Sequence, residues 1–371
     1  MHAARPGAPE LSVIVPVRDG AHFLRHSLPA LLASDLPREQ WELIVVDDGS
    51  RDDSVEVAGR YADRVLRQRA SAGPPRARNQ GAAVARGPIL VFVDADVDVH
   101  RDALRRIREA FEREPGLSAV FGAYDLAPSA PDLLSQYRNL LHAYVHRLEA
   151  GEAVTFWTGL GGIRREAFDE VGRFDERERI DDVELGYRLA GRGRRIRLDP
   201  HIQGTHRKRW SLTGVIMTDV GYRGVPWMRL LLQGRHPAGR TSLNVRRQER
   251  VLTAAAAVGA VSTVAALVMS QPVWLASLLA SVAVILIGDR DFLGWLGGQR
   301  GWWFALRSAP LRLLYYGLNV VSVGLALLPM PWRRAAVPAE PSLAKEVQNV
   351  SAATSGPELR TAAGHAQRES S

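Results

Sequence analysis

The chain of 371 residues is long enough for two or three domains, and 46% of its residues are hydrophobic. Its formal net charge of +8 fits either a nucleic-acid-binding or a membrane-associated protein. Many of the arginines lie beside long apolar segments, so we expect a membrane as the partner and no nucleic acid. The absence of cysteine excludes disulfides and metal sites built from thiolates.

The residues from 11 to about 200 alternate strand and helix patterns. Apolar, β-branched runs at 11–17, 43–46 and 89–93 are too short for helices, and apolar residues between them recur at helical spacing. The alternation predicts an α/β fold with a mostly parallel sheet, whose ligand crevice lies beyond the carboxyl ends of the strands. A tail, 1–10, precedes this domain and lacks the apolar core of a signal peptide, so we expect the domain in the cytoplasm.

Acidic residues follow the three predicted strands at that crevice. They are Asp19 after the first strand, Asp47 and Asp48 after the second, and Asp94 and Asp96 after the third. So many carboxylates on one rim repel each other, which predicts a bound cation. At a strand end, Asp94 and Asp96 point to the same face and offer oxygen ligands for Mg²⁺ or Mn²⁺, with waters and substrate phosphates completing the site. The alternative is a turn in which Asp94 caps backbone amides.

Two acidic segments allow both a structural and a functional interpretation. Asp48 belongs either to an Asx-type turn or to a site where it accepts a hydrogen bond from a base edge. The segment DDVEL opens a helix predicted at 181–191. In that helix Asp181 serves as an N-cap and Glu184 pairs with Arg188, or one carboxylate takes a proton from an acceptor hydroxyl.

The second half of the domain is more mixed. We predict a helix at 131–149, a Gly-rich strand and turn at 155–163, and a strand at 195–198 that ends in an Asp-Pro turn. His206 follows in the segment GTHRKRW. The basic residues beside it suit phosphates, and Trp210 offers a flat face for a sugar or a lipid.

Six blocks along the chain share their order and spacing with a known family. They are SVIVPVRDG, ELIVVDDGSRDDS, ARNQGAAVARG, FVDADVDV, GGIRREAFDEVGRFDE and IDDVELGYRL. Over about residues 11 to 215 the chain resembles the family 2 glycosyltransferases of the GT-A fold. The resemblance implies an inverting transfer from a nucleoside diphosphate sugar, and the apolar segments look like those of bacterial members that act on lipid-linked acceptors.

Carried over by position, the resemblance also implies roles for individual residues. The residues implied at the nucleotide-sugar site are Pro16, Val17, Asp48, Arg78, Asn79 and Asp94. Those implied at the divalent metal, Mg²⁺ or Mn²⁺, are Asp94, Asp96 and His206. Asp182 is implied as the general base. Those expected at the acceptor or its phosphate are Gly161, Asp181, Arg209 and Trp210.

Two departures from the family pattern bear on the substrates. Arg18-Asp19 stands where a Tyr-Asn or similar pair is common, which leaves the base of the nucleotide open. The segment from His206 to Trp210 resembles the Q-x-x-R-W motif of processive members, with histidine in place of glutamine. This change, together with too few apolar spans to build a secretion channel, argues against a polymerising synthase.

The chain beyond the α/β domain predicts a membrane anchor. An interfacial amphipathic segment at 211–245 precedes a membrane region at 246–334, and a disordered tail follows at 335–371. The predicted spans are at about 251–269, 273–288 and 313–332. Flanking arginines place the first domain inside, which predicts a multi-pass protein of the inner membrane. Arg333 and Arg334 do not fit three full spans, so the number stays open at two or three.

These patterns predict a metal-dependent inverting glycosyltransferase that acts on a lipid or lipid-linked acceptor at the cytoplasmic membrane face. One alternative is a nucleotidyltransferase, although VPVRDGAHF is a poor match to the Gly-rich phosphate loop which that class needs near the N-terminus. The other is an inactive membrane scaffold that retains a nucleotide-sugar-binding fold.

Overall fold

The computed structural model describes residues 8–236, 246–329 and 348–349. The strands of its N-terminal half follow the predicted runs and are β1 (Leu11–Val17), β2 (Trp41–Asp47), β3 (Arg64–Arg67) and β4 (Ile89–Val93). They lie parallel in the order β3, β2, β1, β4. Every residue of β2 and β4 is buried, as expected for parallel strands covered on both faces. The predicted parallel arrangement is thus confirmed for this half.

Three helices connect these strands: α1 (Ala21–Leu32), α2 (Ser54–Gly59) and α3 (Pro74–Val84). Helix α3 begins with proline, whose fixed backbone angle suits the first helical turn. Its Gly81 faces the sheet so closely that a Cβ there would lie 2.5 Å from Cγ2 of Ile14. This close approach fixes the depth at which α3 lies against β1.

The C-terminal half of the domain turns the sheet into a mixed one. Its strands are β5 (Val97–Val99), β6 (Leu117–Tyr124), β7 (Gly151–Ala153), β8 (Leu160–Arg164) and β9 (Arg195–His206). Its helices are α4 (Ala103–Arg113), α5 (Leu133–Leu148), α6 (Arg165–Glu170) and α7 (Asp181–Gly191). Strand β8 runs antiparallel between β4 and β6, while β9 pairs in parallel with β6 and antiparallel with β5 and β7. The helices predicted at 131–149 and 181–191 are confirmed.

The turn predicted after residue 198 is wrong, because β9 continues through it. The register against β6 shifts at this point, since Phe121 pairs with Leu198 and Ala123 with Gln203. The amide of His201 donates to Oδ1 of Asp199 at 2.9 Å, so the Asp-Pro sequence forms a local bulge within the strand. A bulge of this kind bends β9 without ending it.

The interfacial segment is helical over much of its length. It consists of α8 (Leu212–Ile216), a π-helical stretch (Met217–Gly224) and α9 (Val225–Leu232), and residues 237–245 lie outside the described part. Its exposed apolar side chains include Leu212, Met217 and Leu232, each more than half exposed. An apolar outer face of this kind agrees with the amphipathic character that the sequence predicts.

Four further helices follow: α10 (Arg247–Met269), α11 (Pro272–Gly288), α12 (Arg290–Arg300) and α13 (Trp302–Leu327). Helices α10 and α13 are long and apolar enough to cross a bilayer, and α11 with α12 forms a third candidate only if the pair, bent by 59°, counts as one span. The predicted spans at 251–269 and 273–288 lie within α10 and α11. The third, predicted to begin at residue 313, overlaps α13, which already begins at Trp302. That these helices cross a membrane stays a prediction.

A buried ion cluster explains why α13 continues through a charged residue. Nη2 of Arg312 donates to Oδ1 of Asp289 at 2.9 Å and to the hydroxyl of Tyr316 at 2.6 Å. Asp289 lies between α11 and α12, so the cluster joins three helices. Because the charge of Arg312 is compensated inside the helix bundle, the arginine does not mark the end of the apolar helix.

Helix α12 also connects the α/β domain to the C-terminal helices. Its Phe292 and Leu296 are buried against Tyr137 and Leu140 of α5. The tail predicted at 335–371 lies outside the described residues, except for β10 (Gln348–Asn349), which pairs antiparallel with β3. The α/β domain and the helices thus share a hydrophobic core.

The close packing of α7 yields a stability prediction. A Cβ at Gly186 would lie 2.5 Å from backbone atoms of Thr155 and Phe156, whereas one at Gly191 of the same helix meets nothing within 4 Å. Gly186→Ala is expected to lower the free energy of unfolding by about 1–3 kcal/mol, because the backbone must shift. Gly191→Ala is the matched control and should leave the melting temperature of the detergent-solubilised protein unchanged or slightly raised. Equal melting temperatures for both variants would contradict the packing argument.

Candidate functional site

Three of the predicted carboxylates lie in one cavity. Asp94 and Asp96 follow β4, and Asp182 lies in the first turn of α7. All three line a cavity of about 900 Å³. Asp48 lies apart from them, beside a second cavity. The meeting predicted for the acidic residues after β1, β2 and β4 is therefore wrong as stated. Only Asp94 and Asp96 after β4 line this cavity, and they are joined there by Asp182 from the start of α7.

Arg78 supplies positive charge to this acidic region. Its side chain on α3 is 7% exposed, and it donates to Asp94 Oδ1 at 2.9 Å and to Asp181 Oδ2 at 2.8 Å. Burial raises the pKa of Asp181 to about 7, although Arg78 opposes the shift. Burial likewise raises the pKa of Asp94 against the influence of Arg78. One arginine thus joins the end of β4 to the start of α7.

Helix α7 itself keeps part of the predicted structure. Glu184 pairs with Arg188 as expected, with Nε 2.8 Å from Oε2. The N-cap role predicted for Asp181 is wrong, because Ile180 is the N-cap and Asp181 is the first helical residue. The carboxylate of Asp181 points to Arg78, which leaves Asp182 as the carboxylate of this turn that lines the cavity.

Asp96 and His206 are brought together by the pairing of β5 with β9. Val97 lies opposite His206 in the ladder, and the amide of Arg207 donates to the carbonyl of Asp96 at 2.9 Å. Nε2 of His206 lies 3.4 Å from Oδ2 of Asp96. Burial acts to raise the pKa of Asp96, but the hydrogen bond and charge of His206 outweigh it and leave the pKa below its usual value. Asp96 is therefore held as an anion.

The residues at this point fit a divalent metal that is shared with a substrate. Within the described part of the chain, no three His, Asp or Glu side chains form a group that holds a metal by themselves. Mg²⁺ and Mn²⁺ prefer oxygen ligands, and Mg²⁺ is commonly bound by one or two carboxylates together with substrate phosphates. Asp94 and Asp96 line the cavity and supply such oxygens, with His206 as a neighbouring nitrogen.

The second cavity, of about 510 Å³, lies beyond the ends of β2 and β3. Its lining consists of Arg18, Gly49, Ser50, Arg51, Arg67, Gln68, Arg69, Ala70 and Ser71. Asp48 accepts hydrogen bonds from Ser71 Oγ at 2.7 Å, Ala72 N at 2.8 Å and Gly73 N at 3.0 Å. Its carboxylate therefore orders the loop that leads into α3, and a contact with a base stays a prediction. The sequence analysis missed Arg67 and Arg69, although Arg67 ends the parallel strand β3 and Arg69 lies two residues beyond it, at the expected edge.

The other residues predicted at the donor site, Pro16, Val17 and Asn79, lie near these two cavities. Pro16 and Val17 end β1, and the carbonyl of Val17 accepts from the amide of Asp48 at 2.8 Å. The side-chain amide of Asn79 donates to Phe174 O at 3.0 Å and accepts from Phe174 N at 3.1 Å. Asn79 therefore holds the loop before α7 in place and acts on the site through that loop.

The residues predicted at the acceptor separate into two groups. Trp210 lines the large cavity, with Lys208 Nζ 4.2 Å from its ring centroid. Arg209 is 79% exposed and lies 3.4 Å from Asp132. A Cβ at Gly161 would lie 2.5 Å from the carbonyl oxygen of Trp157, so this glycine serves packing in the core. Of Gly161, Arg209 and Trp210, only Trp210 lines the large cavity.

Several cavity residues do not stand out in the sequence, because they come from helical segments or, for Tyr124, from the end of β6. Arg138 of α5 forms a bidentate ion pair with Asp219 of the π-helical stretch, with both distances 2.7 Å. Tyr124 stacks on His206 with ring centroids 4.2 Å apart, and His142 packs behind it at 4.3 Å. Burial lowers the pKa of His142 well below its usual value, so the ring stays neutral. Burial also lowers the pKa of Lys208.

The large cavity continues from the acidic residues to the long apolar helices. Helix α10 contributes Glu249, Arg250, Thr253, Ala254 and Ala257, and α13 contributes Tyr315, Asn319, Val320, Ser322 and Val323. The π-helical stretch and α9 add Arg223 and Trp227 to the wall. One cavity thus joins the acidic residues after β4 to a wall of mixed polar and apolar side chains on the two long apolar helices.

The ion bridge at Arg78 predicts a large loss of stability on its removal. Arg78→Leu removes the buried cation that binds both Asp94 and Asp181, which is expected to cost about 3–5 kcal/mol of unfolding free energy. Adding Asp181→Asn should recover part of this loss, because it removes one of the two carboxyl groups that have lost their partner. Arg25→Leu breaks an ion pair whose partners are 52% and 68% exposed and should change stability little. Thermal unfolding in detergent measures all three variants, and a melting temperature of Arg78→Leu equal to that of Arg25→Leu would contradict the bridge.

Comparison with known proteins agrees with this architecture. Residues 12–172 match the family model described as glycosyl transferase family 2. The chain is 24% identical over 217 residues to the probable glycosyltransferase YdaM of Bacillus subtilis, covering 52% of this chain and 49% of that protein. It is 29% identical over 244 residues to the pre-mycofactocin glycosyltransferase of Mycobacterium tuberculosis, covering 60% and 48%. The chain thus spans about half the length of these curated relatives.

A solved structure shares the fold over most of the chain. It is the mannosyltransferase PcManGT from Pyrobaculum calidifontis in complex with GDP-Man and Mn²⁺, with a TM-score of 0.55 and 19% sequence identity. The superposition covers 86% of this chain and 88% of that one. Residues 12–172 thus resemble glycosyl transferase family 2, and the architecture shared with the solved structure shows that the chain has a GT-A type fold.

Proposed function

We propose that the protein transfers a sugar from a nucleoside diphosphate sugar to a lipid or lipid-linked acceptor, with inversion at the anomeric carbon. The observation that carries this proposal is the single cavity that joins Asp94, Asp96 and Asp182 to the apolar residues of α10 and α13. A site that is acidic at one end and bounded by two long apolar helices at the other suits a charged donor and an acceptor with a hydrocarbon part.

The donor occupies the acidic end and the second cavity in this proposal. The nucleoside lies beyond the ends of β1, β2 and β3, near Val17 and Asp48, and the diphosphate points to Asp94 and Asp96. These two carboxylates hold the divalent metal, and His206 keeps Asp96 in position through its 3.4 Å contact. When bound, a divalent metal neutralises the charge that develops on the departing diphosphate. The PcManGT complex with GDP-Man and Mn²⁺ supports a donor and a metal of this kind.

Asp182 is the proposed general base. One of its oxygens accepts from the amide of Val183 at 2.8 Å, which fixes the carboxylate at the start of α7 where it lines the cavity. The acceptor hydroxyl gives its proton to Asp182 while its oxygen forms a bond to the anomeric carbon. The bond from that carbon to the diphosphate breaks, and its electron pair leaves with the diphosphate. Attack from the face opposite the leaving group inverts the configuration.

The acceptor enters from the apolar end of the cavity. Helices α10 and α13 are long and apolar enough to lie in a bilayer, and the exposed apolar face of residues 211–232 suits the membrane interface. Arg246, Arg247 and Arg250 at the start of α10 favour the cytoplasmic side for the α/β domain. We therefore propose a multi-pass inner-membrane protein whose active site faces the cytoplasm, beside the lipid that it modifies.

The base is tested by replacing it with its amide. Asp182→Asn is expected to lower transfer, or hydrolysis of the sugar nucleotide, at least 100-fold, because general-base catalysis typically contributes about 10²–10⁴-fold. Nucleotide binding, measured by isothermal titration with UDP, GDP and dTDP in Mn²⁺, should stay within about twofold of wild type. Asp169→Asn, a change of the same type at a carboxylate 42% exposed on α6, is the control and should keep full activity.

Further assays on the same protein preparation distinguish a metal-dependent transferase from the alternative functions. A chelator should abolish turnover, and Mn²⁺ or Mg²⁺ should restore it. Equal loss of turnover and nucleotide binding in Asp182→Asn would show that Asp182 binds the donor and is not the base. If no sugar nucleotide is consumed with any lipid extract, the protein is not a transferase.

A further inference from the structure

The middle of the large cavity carries positive charge that the transfer reaction has not used. Arg223 of the π-helical stretch and Arg250 of α10 both line the cavity. Both are exposed, and among the described residues neither guanidinium has a carboxylate within 4 Å or a hydrogen-bond partner. They differ in this from Arg138, which lines the same cavity and is neutralised by Asp219.

The two arginines lie in different parts of the cavity wall, Arg250 beside small side chains of α10 and Arg223 near Lys208. Arg250, Thr253, Ala254 and Ala257 form one stripe on α10, because residues three, four and seven apart share a face of a helix. This stripe therefore begins with a cation and continues over about 10 Å with small side chains that carry no charge. Glu249, which also lines the cavity, lies 3.7 Å from Arg312. Arg223 lies towards the acidic end, near Lys208, whose pKa its charge lowers in addition to the larger effect of burial.

We propose that Arg223 and Arg250 bind a phosphate group that links the sugar-accepting end of the acceptor to its hydrocarbon chain. This inference rests on the proposed function and names the class of its acceptor. A phosphate is the anion that an unpaired guanidinium binds with bidentate geometry. It lies between the carboxylates, which repel it, and the apolar stripe of α10, which accepts the chain. An uncharged lipid would leave both arginines unused.

The test uses three soluble probes that separate the lipid from the phosphate. Farnesyl phosphate, farnesol and inorganic phosphate are titrated into the full-length protein in detergent by isothermal calorimetry. Farnesyl phosphate is expected to bind at least tenfold more tightly than either of the others, because it alone contacts the arginines and the apolar wall. Arg223→Gln and Arg250→Gln should each weaken its binding about tenfold, which corresponds to about 1.4 kcal/mol.

The chain offers a matched control on the same helix. Arg247 is exposed in the first turn of α10 and does not line the cavity, so Arg247→Gln removes the same charge without removing a ligand. This variant should bind farnesyl phosphate as wild type does. An equal loss in Arg247→Gln would mean that general attraction to a basic surface drives binding, and it would overturn the proposal.

Two other results would also overturn it. Equal affinity for farnesol and farnesyl phosphate would show that the phosphate is not recognised. Equal affinity for inorganic phosphate would show an anion site without a lipid chain. Titration of UDP, GDP and dTDP in Mn²⁺ into the arginine variants keeps the two proposals apart. If nucleotide binding and turnover persist while farnesyl phosphate fails, the transferase function stands and only the phosphate linkage is wrong.

Discussion

The arrangement of this site depends on the two ion pairs of Arg78. A guanidinium buried at the end of the sheet holds Asp94 on one side and Asp181 on the other, and those residues belong to separate elements. An uncompensated carboxylate at either place would be costly to bury. The arginine thereby sets the distance between the end of β4, where the donor phosphates are proposed to lie, and the start of α7, which carries the proposed base.

The sequence predicts a cation among these acidic residues, and its local patterns miss that a side chain supplies one. Arg78 and Asp181 are 103 positions apart, so no periodicity links them. Strands β1, β2 and β4 are predicted well because their apolar, β-branched runs are short and end in turn residues. Strand β6 is different, since its run LSAVFGAY has no alternation and its identity comes from long-range pairing with β8 and β9.

In the C-terminal helices, too, local sequence patterns predict some elements, while others depend on contacts between residues far apart in the chain. Uninterrupted apolar composition predicts α10 and α11, whereas α13 runs through Arg312, whose charge is compensated by Asp289 from the connection between α11 and α12. Several residues that line the large cavity were also missed, because they are far apart in the sequence. Arg138, Asp219 and Arg250 look like ordinary surface charges in the sequence, and only the packing of their helices turns them towards a common space.

The packing of α12 on α5 has a consequence for the reach of the enzyme. Phe292 and Leu296 fix the α/β domain to the helices that are proposed to lie in the bilayer, so the domain cannot rise or sink freely above the lipid surface. In the proposed arrangement, Asp94, Asp96 and Asp182 then stay at one fixed distance from the lipid surface. In the proposed function, a lipid lengthened by a sugar would carry its new hydroxyl away from the height of these carboxylates.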